Sequence, residues 1–339
     1  IYGSRAANGV IIITTKKGKE GQIKVDFDAS VAASMYVNRM QVLNAREYGQ
    51  AMWQAFVNEG QDPNVNGLGY AFDWGYNSQG HPVLNSVSMN RFLDEAGTTP
   101  SADTDWFKET TRTGFVQNYN LSVSSGTKKS SSFFSLGYYK NLGIIKNSDF
   151  DRISARVNTE YNLIGDILKI GEHLTINRST QVSAPGGFLQ NVLQFNPSIP
   201  VYTLDGNYGG PVGGYPDRNN PVAVLNRNKD NRYTYWRMFG DAYLNLNPFK
   251  GFNVRTTFGI DYSQMAQRIF TYPITEGNVA NDKNAVEAKQ EHWMRWMWNA
   301  VATYNFEVGK HRGDAMVGVE LNRENTQYFS GYREDYTML

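Results

Sequence analysis

The stretch "RISARVNTEYNL", Arg152 to Leu163, alternates apolar and polar side chains with a period of two. Its apolar positions are Ile153, Ala155, Val157, Tyr161 and Leu163. Because successive side chains of an extended chain point to opposite faces, this spacing predicts a β-strand with one apolar face and one polar face. Such a strand lies between an apolar medium and water.

The same period recurs along most of the chain. It is clear in "KVDFDASVAASM", "QNYNLSVSS", "WRMFGDAYLNLN", "FNVRTTFGIDY" and "WMWNAVATYNF". We predict nine long strands, at 23–35, 115–125, 131–142, 150–163, 168–181, 235–246, 252–264, 290–306 and 314–324. Strands of soluble proteins usually have about 5–6 residues, whereas a tilted membrane-spanning strand needs about 9–11. The strand lengths therefore favour a membrane protein.

The connections between these strands alternate between tight and open. Every second one is short, with the sequences "GTKKS", "IGDI", "NPFKG" and "EVGKHRG". The others include the long segments 36–114 and 182–234 and the segment 265–289, with 143–149 as a short exception. Outer-membrane barrels have short periplasmic turns and long extracellular loops, because their strands run up and down in turn. The pattern predicts an all-β, antiparallel transmembrane β-barrel wall with long extracellular loops.

The composition agrees with this class. The chain has 339 residues, a net charge of +1 and no cysteine, and aromatic residues make up 14% of it, including 21 tyrosines. The near-zero net charge does not favour electrostatic binding of nucleic acid. The absence of cysteine excludes disulfides and thiolate metal sites. The sequence has no run of about 18 apolar residues, so no transmembrane helix is expected. A mean hydropathy of −0.51 suits a barrel, whose lumen-facing residues are polar.

One helix is predicted inside the first long loop. In "NAREYGQAMWQAFVNEG", Asn44 is expected to be the N-cap, Glu47 to complete a capping box, and Gly60 to end the helix. Its apolar stripe is predicted to comprise Tyr48, Met52, Ala55 and Phe56. The helix is expected to pack on the loop or the barrel rim, with a role in recognition as the alternative.

The segment before the first strand has a different pattern. "YGSRAANGVIIITTKKGK", Tyr2 to Lys19, turns at a Gly-Asn-Gly-like motif, becomes continuously apolar from Val10 to Ile13, and ends in a lysine-rich run. It resembles the close of the plug domain in SusC/RagA-type TonB-dependent outer-membrane transporters. The residues that carry this motif are Tyr2, Gly3, Arg5, Asn8 and Gly9.

The resemblance continues over most of the chain. The block from Thr104 to Asn158 resembles the early barrel of that family, and "NPVAVLNR", Asn220 to Arg227, resembles a segment that precedes a later strand. The resemblance implies that residues 1–20 end the plug and that 21–339 form the first part of the barrel. About nine strands of a barrel with roughly 22 would then be present, with most of the plug upstream and the later strands downstream.

No catalytic arrangement is recognisable, and we expect neither an enzyme nor a bound cofactor or metal. The four histidines, His81, His173, His292 and His311, lack metal-ligand spacing. The glycine-rich "GNYGGPVGG", Gly206 to Gly214, lacks the ending of a phosphate-binding loop. Asp103 and Asp105 could bind a cation, but Asp103 is instead expected to cap a short helix at "DWFKE".

Aromatic and polar residues cluster in both long loops, and such groups suit sugar rings or peptide backbones. The candidate ligand-binding residues are Tyr70, Trp74, Tyr76, Tyr202, Asp205, Tyr208, Tyr215, Asp217 and Arg218. The alternative is that these rings pack against one another within ordered loops. The strand residues Trp236, Trp293, Trp296 and Tyr304 are expected to contact lipid or form the membrane-interface girdle.

The resemblance implies import of oligosaccharides or oligopeptides across the outer membrane of a Gram-negative bacterium. It implies a SusD-like surface lipoprotein as a lid and the TonB–ExbB–ExbD complex as the energy source; the other partners would be outer-membrane lipid and the substrate, with no nucleic acid. Two alternatives stay open at this point. One is a siderophore or cobalamin TonB-dependent transporter, and the other is a non-energised porin or surface adhesin barrel.

Overall fold

The computed structural model describes residues 18–37 and 40–335, and all statements below concern these residues. Its strands are β1 (Ile23–Ser34), β2 (Tyr70–Tyr76), β3 (Pro82–Met89), β4 (Gly114–Gly126), β5 (Ser130–Leu142), β6 (Asp149–Ile164), β7 (Leu168–Val182), β8 (Tyr233–Phe249), β9 (Phe252–Thr271), β10 (Ile274–Glu276), β11 (Val279–Asn281), β12 (Ala285–Val308) and β13 (His311–Glu334). Its helices are α1 (Ala45–Asn58), α2 (Trp106–Thr110), α3 (Phe188–Gln194) and α4 (Pro221–Asn228). None of the helices in the described residues is long and apolar enough to cross a bilayer.

Nine of these strands form one antiparallel sheet, which we call the wall. Their order in the described part is β1-β4-β5-β6-β7-β8-β9-β12-β13, so each wall strand pairs with the next one along the chain. The nine predicted strands are confirmed, and β1 begins at Ile23, where the alternating pattern starts. Up-and-down order brings the tight turns to one end of the wall and the long connections to the other end.

The register separates two faces across the whole wall. One cross-strand row joins Val25, Val123, Phe134, Val157 and Leu174. We call this side the apolar face. Ile153, Val157, Leu244 and Phe258 lie on it, as predicted, whereas Arg156, Asp241 and Arg255 lie on the opposite, polar face. Three carboxylates of β6 and β7 share the apolar face, namely Asp149, Asp151 and Glu172. Asp151 accepts a hydrogen bond from the Thr180 hydroxyl, and Glu172 accepts one from the Thr159 hydroxyl.

Aromatic side chains mark both margins of the apolar face. Near the tight turns, Phe249 stacks on Phe252 with 5.1 Å between ring centroids, and Tyr304 lies 6.4 Å from Phe252. Toward the long loops, the Arg178 guanidinium lies 5.7 Å from the Trp236 ring centroid. Roughly a dozen residues of β8 separate these margins, which at about 3.4 Å per residue and a tilt near 40° span roughly 30 Å. That distance matches the hydrocarbon core of a bilayer.

Two strand-level expectations need correction. Trp293 is not on the apolar face, because it pairs with Ser263 on the polar face and donates its indole N–H to Glu324 at 2.8 Å. In addition, β12 and β13 each have 24 residues and extend well beyond the predicted bounds. Their distal parts carry polar residues on both faces, so the alternation that marks a membrane-facing strand is lost there.

Helix α1 agrees with its predicted caps, but its apolar stripe differs in part. Asn44 and Glu47 form the capping box, and Gly60 follows the helix with a φ of +70°. Ala55 is exposed, and Trp53 is buried in its place. The other three predicted residues, Tyr48, Met52 and Phe56, pack against a buried core formed by side chains of the long connections.

The expected role of Asp103 is also wrong. Asp105 caps α2 by accepting from the Lys108 backbone N–H at 3.0 Å. Asp103 instead accepts from the Ala45 N–H at 2.8 Å, at the first turn of α1. The plug motif, with Tyr2, Gly3, Arg5, Asn8 and Gly9, lies outside the described residues, so that assignment and the domain boundary at residue 20 remain predictions.

Candidate functional site

The long connections at one end of the wall pack together into a single body. We call it the loop unit, and it comprises residues 40–113, 183–232 and 272–284. Its core combines side chains from the first and second long connections: Trp53, Leu68, Tyr70, Phe72, Trp106, Phe107, Phe188, Val192, Phe195, Ile199, Tyr215 and Leu225. Because residues far apart in the chain share this core, neither connection is an independent flexible loop.

Hydrogen bonds join the two long connections around α2. The Trp106 indole N–H donates to the Asn196 carbonyl at 3.0 Å, and the Thr104 hydroxyl donates to the Ile199 carbonyl at 2.7 Å. The Ala102 N–H donates to the Ser198 carbonyl at 2.9 Å. These bonds satisfy buried backbone groups that would otherwise cost about 1–3 kcal/mol each.

A buried charge connects the third long connection to the second. Glu276 is fully buried, forms an ion pair with Arg227 at 2.5 Å, and accepts from the Asn220 backbone N–H at 2.9 Å. Asn220 is itself buried, and its side-chain amide donates to the Val201 and Gly209 carbonyls while its Oδ1 caps α4. The sequence can predict this cap, because Asn220 is followed by Pro221 at the first helical position. It cannot predict which residues of the other connections bind Asn220.

The glycine-rich segment serves close packing rather than phosphate binding. A Cβ at Gly209 would collide with the Pro200 carbonyl, and one at Gly210 would collide with the Glu276 backbone. Gly213 has a φ of +58° and lies against the Gly67 carbonyl. Glycine lets the backbones of the three connections approach directly.

Tyr70 and Tyr215 belong to the core of the loop unit, each with only 4% of its surface exposed. The Tyr70 hydroxyl donates to the Ala45 carbonyl at 2.7 Å, and the Tyr215 hydroxyl donates to the Leu68 carbonyl at 2.5 Å. Burial raises the pKa of Tyr70 to about 12 and also raises the pKa of Tyr215. For these two residues the self-packing alternative holds, because neither ring is open to a ligand.

Tyr202 and Tyr208 form an open aromatic pair beside Asp205. Their ring centroids lie 5.3 Å apart, and half of the Tyr202 surface, 51%, is exposed. Hydrogen bonds from the Thr203 hydroxyl and from Asn207 hold the pKa of Asp205 below its ordinary range, so it is anionic at neutral pH. The Arg227 guanidinium lies 5.5 Å from the Tyr208 ring centroid.

The remaining candidates lie in two other places. Trp74 and Tyr76 are on β2, with 5.6 Å between their rings, and Tyr76 is 69% exposed. Asp217 is exposed and Arg218 is half-buried in the second long connection. The seven accessible candidates therefore remain predictions as ligand contacts.

The polar face of the wall carries a chain of charge-assisted contacts. Arg237 donates to both Asp261 oxygens at 2.9 and 2.6 Å, and His173 lies 3.2 Å from Asp241. The Arg255 guanidinium lies 4.0 Å from the Tyr243 ring centroid. These contacts offer hydrogen-bonding groups to an aqueous interior. No group of three or more histidine or carboxylate side chains within the described residues is arranged to hold a metal ion.

Comparison with known proteins gives similar sequences and similar folds. The chain is 32% identical to the TonB-dependent receptor SusC of Bacteroides thetaiotaomicron over 236 residues, which are 69% of this chain and 20% of that protein. It is 26% identical to the TonB-dependent receptor P26 of Formosa agariphila over 334 residues, which are 96% of this chain and 30% of that protein. The chain thus spans about a fifth to a third of these curated relatives. No family model matches it.

Among solved structures, the RagAB peptide importer in the closed-closed state is similar, with a TM-score of 0.75 and 21% identity. The similarity covers 99% of this chain and 38% of that one. At this identity the structural similarity supports the fold, and the sequence similarity supports the family. Together with the two-faced, up-and-down wall, they show that the chain belongs to the SusC/RagA-type TonB-dependent receptors of the Gram-negative outer membrane.

Proposed function

We propose that this chain forms part of an importer that takes up its substrate across the outer membrane with energy from TonB. The observation that carries the proposal is the loop unit, a single packed body at one end of a membrane-spanning wall. Open aromatic rings on that body would receive the substrate, and the polar face of the wall would line its path. The relatives named TonB-dependent receptors support energised uptake.

The proposed substrate class is an oligosaccharide or an oligopeptide. Tyr202 and Tyr76 present open rings, Asp205 lies close to Tyr202 in the sequence, and Arg218 adds a cation from the same long connection. Rings of this kind stack on the apolar faces of sugars or amino acid side chains, and they lose little conformational entropy when they do so. The similar RagAB structure is described as a peptide importer, which supports an oligomeric substrate for this fold.

The proposed partners are a SusD-like surface lipoprotein and the TonB–ExbB–ExbD complex. A chain that enters its first wall strand from the plug begins at the periplasmic face, so the first long connection is extracellular. Since strands alternate in direction, the whole loop unit would then lie outside, where a lid lipoprotein can cover it. Transport would consist of binding and energised rearrangement of the plug, without bond chemistry.

An uptake assay with a point variant tests this proposal. The receptor, expressed in full in a Gram-negative host that lacks its own copy, is given labelled oligosaccharides and labelled peptides at low concentration. Tyr202→Ala is expected to reduce uptake about three- to tenfold, the typical contribution of one aromatic contact. Tyr161→Ala, an exposed tyrosine on the apolar face of the wall, is the matched control.

Collapse of the proton gradient is expected to abolish uptake. Uptake that continues without the gradient would contradict an energised importer and indicate a porin. A point variant is a sharper probe than deletion of 205–218, because that segment contributes the buried Tyr215 and the close-packed Gly210 to the loop unit.

A further inference from the structure

A cavity of about 400 Å³ lies where the second long connection meets the end of the wall. Its walls include Gln181, Tyr233 and Gln267 from three neighbouring strands, and Asn228 and Asn231 from the end of α4 and the turn that follows it. This size falls in the range of roughly 300–1,000 Å³ that is usual for small-molecule sites. None of these residues was singled out by the sequence patterns.

The three strand residues form one row across the wall. Gln181 on β7 is opposite Tyr233 on β8, and Tyr233 is opposite Gln267 on β9. The row lies on the polar face, the same face as Asp241 and Arg255, because the side-chain period of a strand is two. An aromatic ring is therefore flanked on both sides by a side-chain amide.

Several polar groups of this row form no hydrogen bond within the protein. Asn231, which lies outside the row, already has partners: its Oδ1 accepts from the Phe270 N–H, and its amide donates to Asn228. Gln181 donates to the Ser183 hydroxyl at 2.6 Å but leaves its carbonyl oxygen free. Within the described residues no hydrogen bond engages the Gln267 amide or the Tyr233 hydroxyl. The cavity therefore offers donors and acceptors side by side, next to a ring face.

The charge of the lining distinguishes between ligand classes. Of the described residues that line the cavity, none is ionised at neutral pH, so the lining itself presents no charged side chain to a peptide terminus or an anionic group. The backbones of β7, β8 and β9 are paired on both sides, so a peptide cannot add to the sheet as a further strand. Amides that both donate and accept match the neighbouring hydroxyls of a sugar ring.

We propose that this cavity, with Tyr233 as the platform and Gln181 and Gln267 as the flanking groups, binds one unit of a neutral oligosaccharide. The inference rests on the proposed import function and names the substrate class for it. Tyr233 would cover the apolar face of the sugar ring, and each glutamine would exchange hydrogen bonds with hydroxyls at the ring edge.

The test measures binding by the full-length receptor in detergent. The probes are neutral oligosaccharides of four to eight units (malto-, xylo- and manno-series) and, separately, a mixture of peptides of the same length. The variant Gln267→Leu keeps the side-chain volume but removes the amide. Gln264→Leu is the matched control, because it makes the same change on the same strand but on the apolar face, opposite Trp236.

Loss of two hydrogen bonds predicts at least tenfold weaker saccharide binding for Gln267→Leu, and Tyr233→Leu is expected to have a similar effect. Gln264→Leu is expected to bind within twofold of the unmodified receptor. Unchanged affinity for Gln267→Leu, or binding of peptides with no binding of any neutral saccharide, would overturn the inference. If the receptor binds only peptides and takes them up with energy from TonB, the saccharide site is wrong but the importer function is supported. If it binds saccharides but shows no energised uptake, the site is supported and the importer function is contradicted.

Discussion

At the scale of single residues, the most consequential feature is a charge without access to water. Glu276 has no exposed surface; its Oε1 forms an ion pair with Arg227, and its Oε2 accepts a hydrogen bond from the Asn220 backbone N–H. Burying a carboxylate is costly unless it is paired, so this pair is stable only while the second and third long connections stay together. The contact therefore couples the folding of two segments that are separate in sequence.

Replacing Glu276 by Gln should loosen the loop unit. The substitution leaves Arg227 without its anion, and breaking a buried pair costs about 3–5 kcal/mol; since 22% of the Arg227 side chain is exposed, we expect about 3 kcal/mol. The backbone amides of 220–228 and 274–281 should then exchange their hydrogens faster than in the unmodified receptor. Glu334→Gln, which removes an exposed partner of Lys283, is the control and should change little. Equal protection in the two variants would contradict a structural role for the buried pair.

At the scale of elements, the wall strands could be predicted from sequence because each strand carries its own evidence. A strand between lipid and water must alternate apolar and polar side chains, so about a dozen residues around Leu121 or Val157 are enough to identify it. The ends of β12 and β13 lack this requirement, so the predicted strands are shorter than the observed ones. The loop unit was not predictable in the same way, since contacts such as Trp106 with Asn196 or Gly210 with Glu276 join residues whose separation no local pattern reports.

An arginine placed on either face of β4 tests the assignment of the faces. Leu121 lies at the middle of β4 on the apolar face, and its neighbour Asn120 lies on the polar face opposite Asp28. Leu121→Arg should lower the free energy of unfolding in bilayers by about 2–4 kcal/mol, because the charge would enter hydrocarbon. Asn120→Arg should cost much less, since it faces the aqueous interior and an aspartate. Equal costs at the two positions would show that the face assignment is wrong.

At the scale of the whole molecule, all the argued functions depend on one orientation. The up-and-down order of the wall places the tight turns at one end and the loop unit at the other. A loop unit outside the cell can receive substrate and accept a lid, whereas a loop unit in the periplasm could do neither.

The most direct test of this orientation is labelling of single cysteines on intact cells with a membrane-impermeant maleimide. The chain has no cysteine of its own, so once any cysteine elsewhere in the full-length receptor is replaced by serine, each substitution reports one position. Ser78→Cys at the tip of the β2–β3 hairpin and Asp217→Cys in the second long connection should be labelled on intact cells that lack the proposed lid lipoprotein. Asp166→Cys and Lys310→Cys, in two tight turns, should react only after the outer membrane is opened. Labelling of the tight turns on intact cells, with protection of Ser78→Cys and Asp217→Cys, would contradict the account.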